Sequence, residues 1–337
     1  MELPPGWAEA MDTATRRGGI CLVVGAVDTG KSTFCGWLAQ RAAQAGLSAA
    51  VVDSDTGQQD IGPPACVTFA WADPQAARLE ELPLAGLHFV GATSPLGHLL
   101  ELVAGACRLA GLARRQGAAL VAVDTTGLVE GPGLGLKWAK VSALAPRTLV
   151  ALQQGAELEP LLAPYRQRER PLLLRLRPSP LAQARSATTR AARRREMFRR
   201  YFAGAGEVAI PWEQLGVEGL PLFAGPALAA AERRRLESAW GMPVLHAEAG
   251  PAGRLAVMEG SWGVEGWRTV PAANFDRLLV GLVDDRGRTL GAGSLRGWPD
   301  QPRFRVVTPA GVEAVRTLKL GFMRVDPGGE ELGTVRW

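Results

Sequence analysis

Short apolar runs alternate with longer stretches of helical spacing from residue 19 onward. Six apolar runs favour strands: Ile20–Val24, Ala49–Val52, Leu87–Val90, Leu120–Val123, Thr148–Leu152 and Leu172–Leu176. The helical stretches begin near Lys31, Leu96, Leu134, Glu157 and Ser186. Strands that alternate with helices are typical of βαβ units, in which helices cover both faces of a parallel sheet. The pattern therefore predicts an α/β fold whose ligands bind beyond the carboxyl ends of the strands.

The pattern changes after about residue 245. Four later runs predict strands separated by Gly- and Asp-containing turns: Arg254–Met258, Leu278–Val283, Phe304–Val307 and Leu318–Val325. The preceding segment, Pro226–Trp240, carries apolar residues at helical spacing and is followed by Gly241, so it predicts a helix. We therefore expect two domains, a larger one over residues 1–245 and a smaller β-rich one over residues 246–337.

The composition adds a basic charge balance to this picture. The 337 residues have a formal net charge of +5, and only four of the 38 basic residues are Lys. This balance favours an anionic partner. No apolar run reaches the roughly 18 residues that a membrane-spanning helix needs. Because the first residues, MELPPGWAEAMD, also lack the apolar segment of a signal peptide, we expect a cytoplasmic protein with no membrane partner.

The segment GAVDTGKST follows the apolar run ICLVV and precedes a helical pattern. It matches G-x-x-x-x-G-K-[ST], the phosphate-binding loop (P-loop) of many NTPases, and the strand-loop-helix context argues against a chance turn. In such a loop, glycines let backbone amides surround the phosphates, the Lys reaches the β- and γ-phosphates, and the Ser hydroxyl binds Mg²⁺. We expect ATP and Mg²⁺ to bind here through Gly25, Asp28, Thr29, Gly30, Lys31, Ser32 and Thr33.

Acidic residues end two of the predicted strands. Asp53 and Asp55 lie in VVDSDTGQQD, and Asp124 lies in VAVDTTG. A P-loop site needs one carboxylate beside its metal ion. A second carboxylate near the γ-phosphate would be free to orient or deprotonate an attacking hydroxyl, which a kinase requires. One of the three could instead cap a turn, Asp53 above all, so the assignment of base and metal ligand stays open.

The densest charge of the chain lies between residues 166 and 200. This stretch contains two Glu and twelve Arg, at positions 166, 168, 170, 175, 177, 185, 190, 193, 194, 195, 199 and 200. Such a run is commonly the solvated face of a helix. Because it follows the sixth predicted strand, it could also close over the bound triphosphate as a lid, with Arg side chains neutralising the transferring phosphoryl group.

These motifs together resemble the polynucleotide 5′-hydroxyl kinase family of RNA-processing P-loop kinases. The matching stretches, in family order, are GAVDTGKST, DSDTGQQDIGPP, GATSPLGH, DTTGLVEGPG and RSATTRAARRREMFRRYF. The segment GPALAAAERRRLESAW and the terminal β-rich part resemble the simpler archaeal-type members. The resemblance covers most of the chain and implies a P-loop NTPase core over residues 1–245, with a lid at about 180–203.

Carried over to this chain, the resemblance implies a role for each matching residue. Asp55 is expected beside the metal ion and the substrate hydroxyl, as general base. The expected metal ligands are Ser32, Asp55 and Asp124. The expected catalytic residues are Lys31, Asp55, Arg190 and Arg194. The expected substrate-binding residues are Gln58, Thr93, Ser94, Thr126, Leu128 and Arg185.

The resemblance implies transfer of the ATP γ-phosphoryl group to the 5′-hydroxyl end of RNA, with DNA as a further candidate acceptor. Leu128 stands where eukaryotic members often carry a Trp, which leaves the preference for RNA over DNA open. Three other functions are compatible with the residues: a P-loop ATPase or GTPase switch, an RNA-processing subunit that binds nucleotide without catalysis, and a kinase of anionic small metabolites. ALQQG, at the end of the fifth predicted strand, lacks the N-K-x-D signature of GTPases. The sequence identifies no protein partner.

Overall fold

The computed structural model describes residues 3–76, 78–180, 182, 184–251, 253–260, 263–299 and 301–337. The chain divides into two compact units, one ending at Met197 and the other beginning at Phe198. The predicted functional domains, residues 1–245 and 246–337, stay a prediction. No helix in the described part of the chain is long and apolar enough to span a bilayer.

The first unit is an α/β structure. Its described strands are β1 (Gly19–Gly25), β2 (Ala49–Ser54), β3 (Cys66–Trp71), β4 (Leu84–Phe89), β5 (Leu120–Thr125), β6 (Thr148–Leu152) and β7 (Leu172–Leu176). Its helices are α1 (Trp7–Arg17), α2 (Lys31–Gln44), α3 (Leu99–Arg115), α4 (Pro132–Leu144), α5 (Glu159–Leu162) and α6 (Ala187–Tyr201), the last of which crosses the unit boundary.

The strands follow the order β4-β3-β2-β5-β1-β6-β7. The strands β2, β5, β1, β6 and β7 run parallel to one another. The strand β3 is antiparallel to both β2 and β4. The predicted α/β class is confirmed. The strand β3 was not predicted, because the run CVTFAW returns from β2 without an intervening helix.

Strand residues alternate between two apolar cores, one on each face of this sheet. Leu22 and Val24 of β1 belong to one core, and Cys21 and Val23 belong to the other. All four side chains are essentially inaccessible to solvent, which is typical of a sheet covered on both faces. Because β1 lies between β5 and β6, the loop that follows it opens at the centre of the carboxyl edge of the sheet.

The helix α1 was not predicted from the pattern. Its first residue, Trp7, is fully buried against Phe34 of α2, and its indole N–H donates a hydrogen bond to the carbonyl oxygen of Arg177 at 2.9 Å. The segment before β1 therefore forms part of the core of the first unit.

The second unit is β-rich. Its described strands are β8 (Gly206–Pro211), β9 (Gly216–Glu218), β10 (Val244–Gly250), β11 (Gly253–Met258), β12 (Arg268–Pro271), β13 (Asp276–Asp284), β14 (Thr289–Arg296), β15 (Arg303–Thr308), β16 (Val315–Val325) and β17 (Glu331–Thr334), with one helix, α7 (Ala230–Trp240). The four strands predicted after residue 245 lie within β11, β13, β15 and β16. The helix begins later than predicted because Ala227 forms an antiparallel bridge with Glu248.

Candidate active site

The P-loop connects β1 to α2 at the carboxyl edge of the sheet. Gly30 has φ +90°, a left-handed conformation that favours glycine, and it directly precedes the first residue of α2. The Lys31 ammonium donates a hydrogen bond to the carbonyl oxygen of Ala26 at 2.7 Å, and the Thr29 hydroxyl donates to the same oxygen at 3.0 Å. The loop thus wraps around its own lysine, with the N-terminus of α2 at its mouth, which is the arrangement that binds phosphate groups.

Ser32 and Asp124 form the second part of the site. The Ser32 hydroxyl donates a hydrogen bond to Oδ2 of Asp124 at 2.5 Å, although 92 residues separate them. Burial raises the pKa of Asp124 to about 6, while the Lys31 ammonium and the Ser32 hydroxyl act in the opposite direction. A hydroxyl and a carboxylate at the mouth of a P-loop are hard oxygen donors, which suit Mg²⁺.

The described residues contain no group of three or more His, Cys, Asp or Glu that could hold a metal ion by itself. Mg²⁺ commonly takes only one or two protein carboxylates, together with water and substrate phosphates. The pair formed by Ser32 and Asp124 therefore fits a Mg²⁺ ion that arrives with a nucleotide.

Asp53 and Asp55 have different environments. Asp53 is fully buried, and its two carboxylate oxygens accept hydrogen bonds from the backbone N–H groups of Asp55 and Asp60 at 3.0 and 2.8 Å. Burial raises its pKa well above the usual value, and the charges of Asp124 and Asp60 add to this effect. Asp53 thus fixes the loop after β2, as the turn-capping alternative proposed.

Asp55 is only partly buried and lines the cavity beside the P-loop. Its Oδ1 accepts hydrogen bonds from the backbone N–H groups of Gly57 and Gln58 at 3.1 and 3.2 Å. Among the described residues, no group donates a hydrogen bond to Oδ2. The side chain is therefore held in one orientation while one oxygen can accept a proton from a ligand.

Asp60 is a member of the site that the sequence did not single out. It lines the same cavity, and its carboxylate forms a charged hydrogen bond with the Arg193 guanidinium, 133 residues away. Burial raises the pKa of Asp60, while Arg193 opposes this shift. The stretch DSDTGQQDIGPP contains Asp60, but no local signal separates it from its acidic neighbours.

The predicted lid lies over this site through the start of α6. Its backbone is tied to the P-loop, because the N–H of Arg185 donates to Oδ2 of Asp28 at 2.9 Å. Arg190 donates to the carbonyl oxygen of Arg185 at 2.6 Å and lies 3.8 Å from the Asp28 carboxylate. Arg185 and Arg193 line the cavity. The catalytic roles expected for Arg190 and for Arg194, which lies farther along α6, stay predictions.

Of the residues expected to bind substrate, Gln58 and Arg185 line the cavity, whereas Thr93, Ser94, Thr126 and Leu128 are not among its lining residues. The carbonyl oxygen of Thr93 accepts a hydrogen bond from the Thr56 hydroxyl at 3.4 Å, which connects the loop after β4 to the loop after β2. Ser94 is exposed, and its hydroxyl accepts from the backbone of Leu96.

The loop after β5 lies close to the P-loop. A Cβ atom on Gly127 would lie 2.7 Å from the backbone nitrogen of Val27, so only glycine allows this approach. Thr126 is almost fully buried, whereas Leu128 is partly exposed. The Thr126 side chain, which was predicted to bind substrate, therefore faces the protein interior. Leu128 offers an accessible apolar surface.

Two buried lysines of α4 form hydrogen bonds with residues at the ends of β2 and β5. Neither lysine was assigned a role from the sequence. Lys137 donates hydrogen bonds to the carbonyl and hydroxyl oxygens of Thr126 at 2.5 and 3.2 Å. Lys140 donates to the Ser54 hydroxyl at 2.6 Å, which in turn donates to the carbonyl oxygen of Asp124 at 2.5 Å. These bonds fix the ends of β2 and β5.

Both ammonium groups are fully buried. Burial lowers the pKa of Lys140 to about 8, against the opposing charges of Asp55 and Asp124. Burial, followed by the charges of Lys140 and Lys31, lowers the pKa of Lys137 well below its usual value. Burial thus disfavours the charged form of both amines, while the charges of Asp55 and Asp124 favour it.

The P-loop, the carboxylates and the lid enclose one cavity of about 980 Å³. Lys31, Ser32, Asp55, Asp60 and Arg193 all line it. A cavity of this size is at the upper end of the range for small-molecule sites. Chemically, it combines a phosphate-binding loop, a Mg²⁺-compatible pair, a carboxylate with an accessible oxygen and a guanidinium group.

Comparisons with known proteins agree with this geometry. A sequence profile of the family described as "mRNA cleavage and polyadenylation factor CLP1 P-loop" matches residues 25–204, more than half of the chain. The chain is 32% identical over 321 residues to the polyribonucleotide 5′-hydroxyl-kinase of Pyrococcus furiosus, an alignment that covers 93% of this chain and 89% of the relative. It is 29% identical to the protein of the same name from Methanocaldococcus jannaschii, over 93% and 88% of the two chains.

Among solved structures, the chain is similar to Clp1p in the wild-type Clp1p–Pcf11p complex. The TM-score is 0.64 at 12% identity, and the alignment covers 94% of this chain and 78% of the other. At that identity the likeness extends to the fold alone.

Proposed function

The chain belongs to the CLP1 P-loop family, and we propose that it is an ATP-dependent polynucleotide kinase that transfers the γ-phosphoryl group of ATP to the 5′-hydroxyl end of RNA. The family resemblance drawn from the sequence motifs is confirmed by the match over residues 25–204 and by relatives that align over nearly the full length of both chains. Those relatives are named polyribonucleotide 5′-hydroxyl-kinases, which supports the same reaction for this chain.

One structural observation carries the proposal. A single cavity brings together the P-loop lysine, a carboxylate with an accessible oxygen and a lid arginine: Lys31, Asp55 and Arg193. A nucleotide-binding module that only holds ATP needs the first of these. Phosphoryl transfer also requires the other two groups. The carboxylate accepts the proton of the attacking hydroxyl, and the guanidinium neutralises charge on the transferring phosphoryl group.

In the proposed reaction, the substrate 5′-oxygen attacks the γ-phosphorus and its proton passes to Oδ2 of Asp55. The bond from the γ-phosphorus to the β-γ bridging oxygen breaks, and ADP leaves with that electron pair. Lys31 neutralises the charge that develops on the bridging oxygen. Ser32 and Asp124 would hold Mg²⁺, which supplies further charge neutralisation on the β- and γ-phosphates.

The lid arginines act on the transferring group itself. Arg193 already lies in the cavity, and Arg185 lines it beside the P-loop. We propose that they neutralise the equatorial oxygens of the γ-phosphoryl group, together with Arg190 and Arg194, which share the lid helix. A lid closed over the nucleotide would also exclude water, which would otherwise compete with the 5′-hydroxyl.

The acceptor end is proposed to lie against Gln58, Thr93, Ser94, Thr126 and Leu128. Leu128 offers an apolar contact to the first base but not aromatic stacking, which is worth about 1–3 kcal/mol per base. Acceptance of DNA beside RNA and a cytoplasmic location both stay predictions.

Mass spectrometry of an RNA oligonucleotide with a 5′-hydroxyl end tests the proposal. After incubation with ATP and MgCl₂, the RNA should gain the mass of one phosphoryl group, and the same RNA with a 5′-phosphate should stay unchanged. A matched DNA oligonucleotide measures acceptor preference. ATP hydrolysis without a mass change in the RNA would favour an ATPase switch, and tight ATP binding without turnover would favour a non-catalytic subunit.

A further inference from the structure

The cavity beside the P-loop is larger than the transferring phosphoryl group and a metal ion require. Its volume is about 980 Å³. The carboxylates Asp55 and Asp60 lie at one end. The cavity then passes the P-loop and continues along the outer face of α2, where Trp37 and Gln40 line it. This second end has no role in the chemistry proposed above.

The α2 residues at this end form one helix face. They are spaced by three and four positions, as one side of a helix requires: Thr33, Gly36, Trp37 and Gln40. The opposite side of α2 carries the fully buried residues Phe34, Cys35 and Leu38. The amide of Gln40 donates hydrogen bonds to the carbonyl oxygens of Pro74 and Ala76, which fixes the loop after β3 as the far wall.

Trp37 is the aromatic side chain of this wall. It is half-buried, and its ring packs against Trp7 with centroids 5.8 Å apart and planes inclined by 66°. Trp7 is itself fixed, because it is fully buried and its ring lies 3.3 Å from the position that a Cβ atom on Gly30 would take. The indole of Trp37 is therefore held in place by a second ring while part of its surface faces the cavity, and such a surface suits a flat heterocycle.

The position of Trp37 relative to Ser32 bears on which heterocycle it would meet. Ser32 faces Asp124, where the γ end of the triphosphate is expected. Five residues later, Trp37 lies about 7.5 Å farther along the helix axis and about 140° around it. A nucleotide whose terminal phosphate lies at Ser32 and whose base reaches Trp37 would run from the end of the cavity lined by Asp55 and Asp60 toward the end lined by Asp73 and Glu80.

Building on the proposed function, we propose that the nucleobase of the donor nucleotide stacks on Trp37. The acceptor base is the less favoured occupant, because Asp55, the proposed acceptor of the 5′-hydroxyl proton, lies at the other end of the cavity. Stacking of a base on an aromatic side chain tolerates any base, so Trp37 would supply affinity for a nucleoside triphosphate over inorganic phosphates rather than selection of adenine.

Isothermal titration calorimetry with ATP and with inorganic tripolyphosphate, each with MgCl₂, tests the proposal. Trp37→Ala should weaken ATP binding on the order of tenfold or more, and should leave tripolyphosphate binding within about twofold, since the latter has no base to stack. Trp37→Phe should restore most of the ATP affinity. Trp138→Ala, a partly exposed tryptophan on α4 outside the cavity lining, is the matched control and should bind both ligands as wild type does.

Three results would overturn the proposal. The first is unchanged ATP affinity in Trp37→Ala. The second is an equal loss for ATP and tripolyphosphate, which would mean a distorted P-loop. The third is a raised KM for the acceptor oligonucleotide with unchanged ATP binding, which would assign this end of the cavity to the acceptor. Because the binding measurement needs no turnover, it is independent of whether phosphoryl transfer to RNA occurs.

Discussion

Replacement of Arg193 by Gln should slow phosphoryl transfer about 10²- to 10³-fold. Arg193 lines the cavity and forms a charged hydrogen bond with Asp60, and the two side chains are 29% and 13% exposed. The pair is thus intermediate between an exposed ion pair, worth about 0–1 kcal/mol, and a buried pair, where loss of one partner costs about 3–5 kcal/mol. We therefore expect a moderate loss of stability beside a large loss of rate.

Arg193 could act in two ways, and the two roles predict different increases in activation free energy when it is replaced. As a donor to the transferring phosphoryl group, its removal should cost about 2.7–4 kcal/mol in the activation free energy. As a latch that only holds the lid on Asp60, it should cost about 1.5–3 kcal/mol, and Asp60→Asn should have the same effect. A double-mutant cycle separates the two roles, because in the latch case the double variant is no slower than either single variant.

The assay is single-turnover transfer to a 5′-hydroxyl RNA with enzyme and ATP in excess, so that chemistry rather than product release is measured. Arg195→Gln is the control, since Arg195 is exposed two residues later on the same helix. Thermal unfolding of each variant monitors stability. A rate within twofold of wild type for Arg193→Gln, or an equal loss for Arg195→Gln, would refute the reasoning.

Three further predictions follow from the site and its surroundings. Asp55→Asn should lower kcat about 10²- to 10⁴-fold with little change in ATP affinity, because it removes the proton acceptor. A kcat close to wild type in a steady-state assay would show that Asp55 is not the proton acceptor. Lys31→Ala should weaken binding of ATP and abolish measurable transfer, and normal ATP binding by calorimetry would contradict the P-loop assignment. Glu159 accepts hydrogen bonds from Arg175 and Arg166, which hold its pKa well below the usual value, so Glu159→Gln should lower the free energy of unfolding by at most about 1 kcal/mol at pH 7. Because a lowered folded-state pKa stabilises only above the unfolded-state pKa, this deficit should persist down to about pH 4.5 and shrink below it in urea titrations; a deficit that grows on acidification would contradict the assignment.

The sequence predicted the parts of the site that depend on local order. The P-loop required only a strand, nine residues and a helix in succession, and the parallel strands on either side of it follow from the alternation of apolar runs. The choice between Asp53 and Asp55 could not be made in this way, because both border the same turn. Only the structure shows that the amides of the loop use both oxygens of Asp53 and leave one oxygen of Asp55 accessible.

Contacts between distant residues account for most of what the sequence did not reveal. Asp60 and Arg193 meet only because α6 returns over the loop after β2. Lys137 and Lys140 have the spacing of an exposed helix face, yet α4 directs both into the interior, where oxygen atoms at the ends of β2 and β5 accept their hydrogen bonds. A buried amine costs free energy unless hydrogen-bond partners compensate it. Because those partners lie on strands distant in the sequence, no local pattern predicts the burial.

The central claim is that this P-loop site delivers the γ-phosphoryl group to the 5′-hydroxyl end of RNA. The most direct measurement is the fate of the label from ATP labelled on its γ-phosphorus, followed in the presence of RNA with a 5′-hydroxyl end. The account predicts that label appears at the 5′ terminus of the RNA with the wild-type protein and not with Lys31→Ala. Release of all label as inorganic phosphate, with none in the RNA, would contradict it.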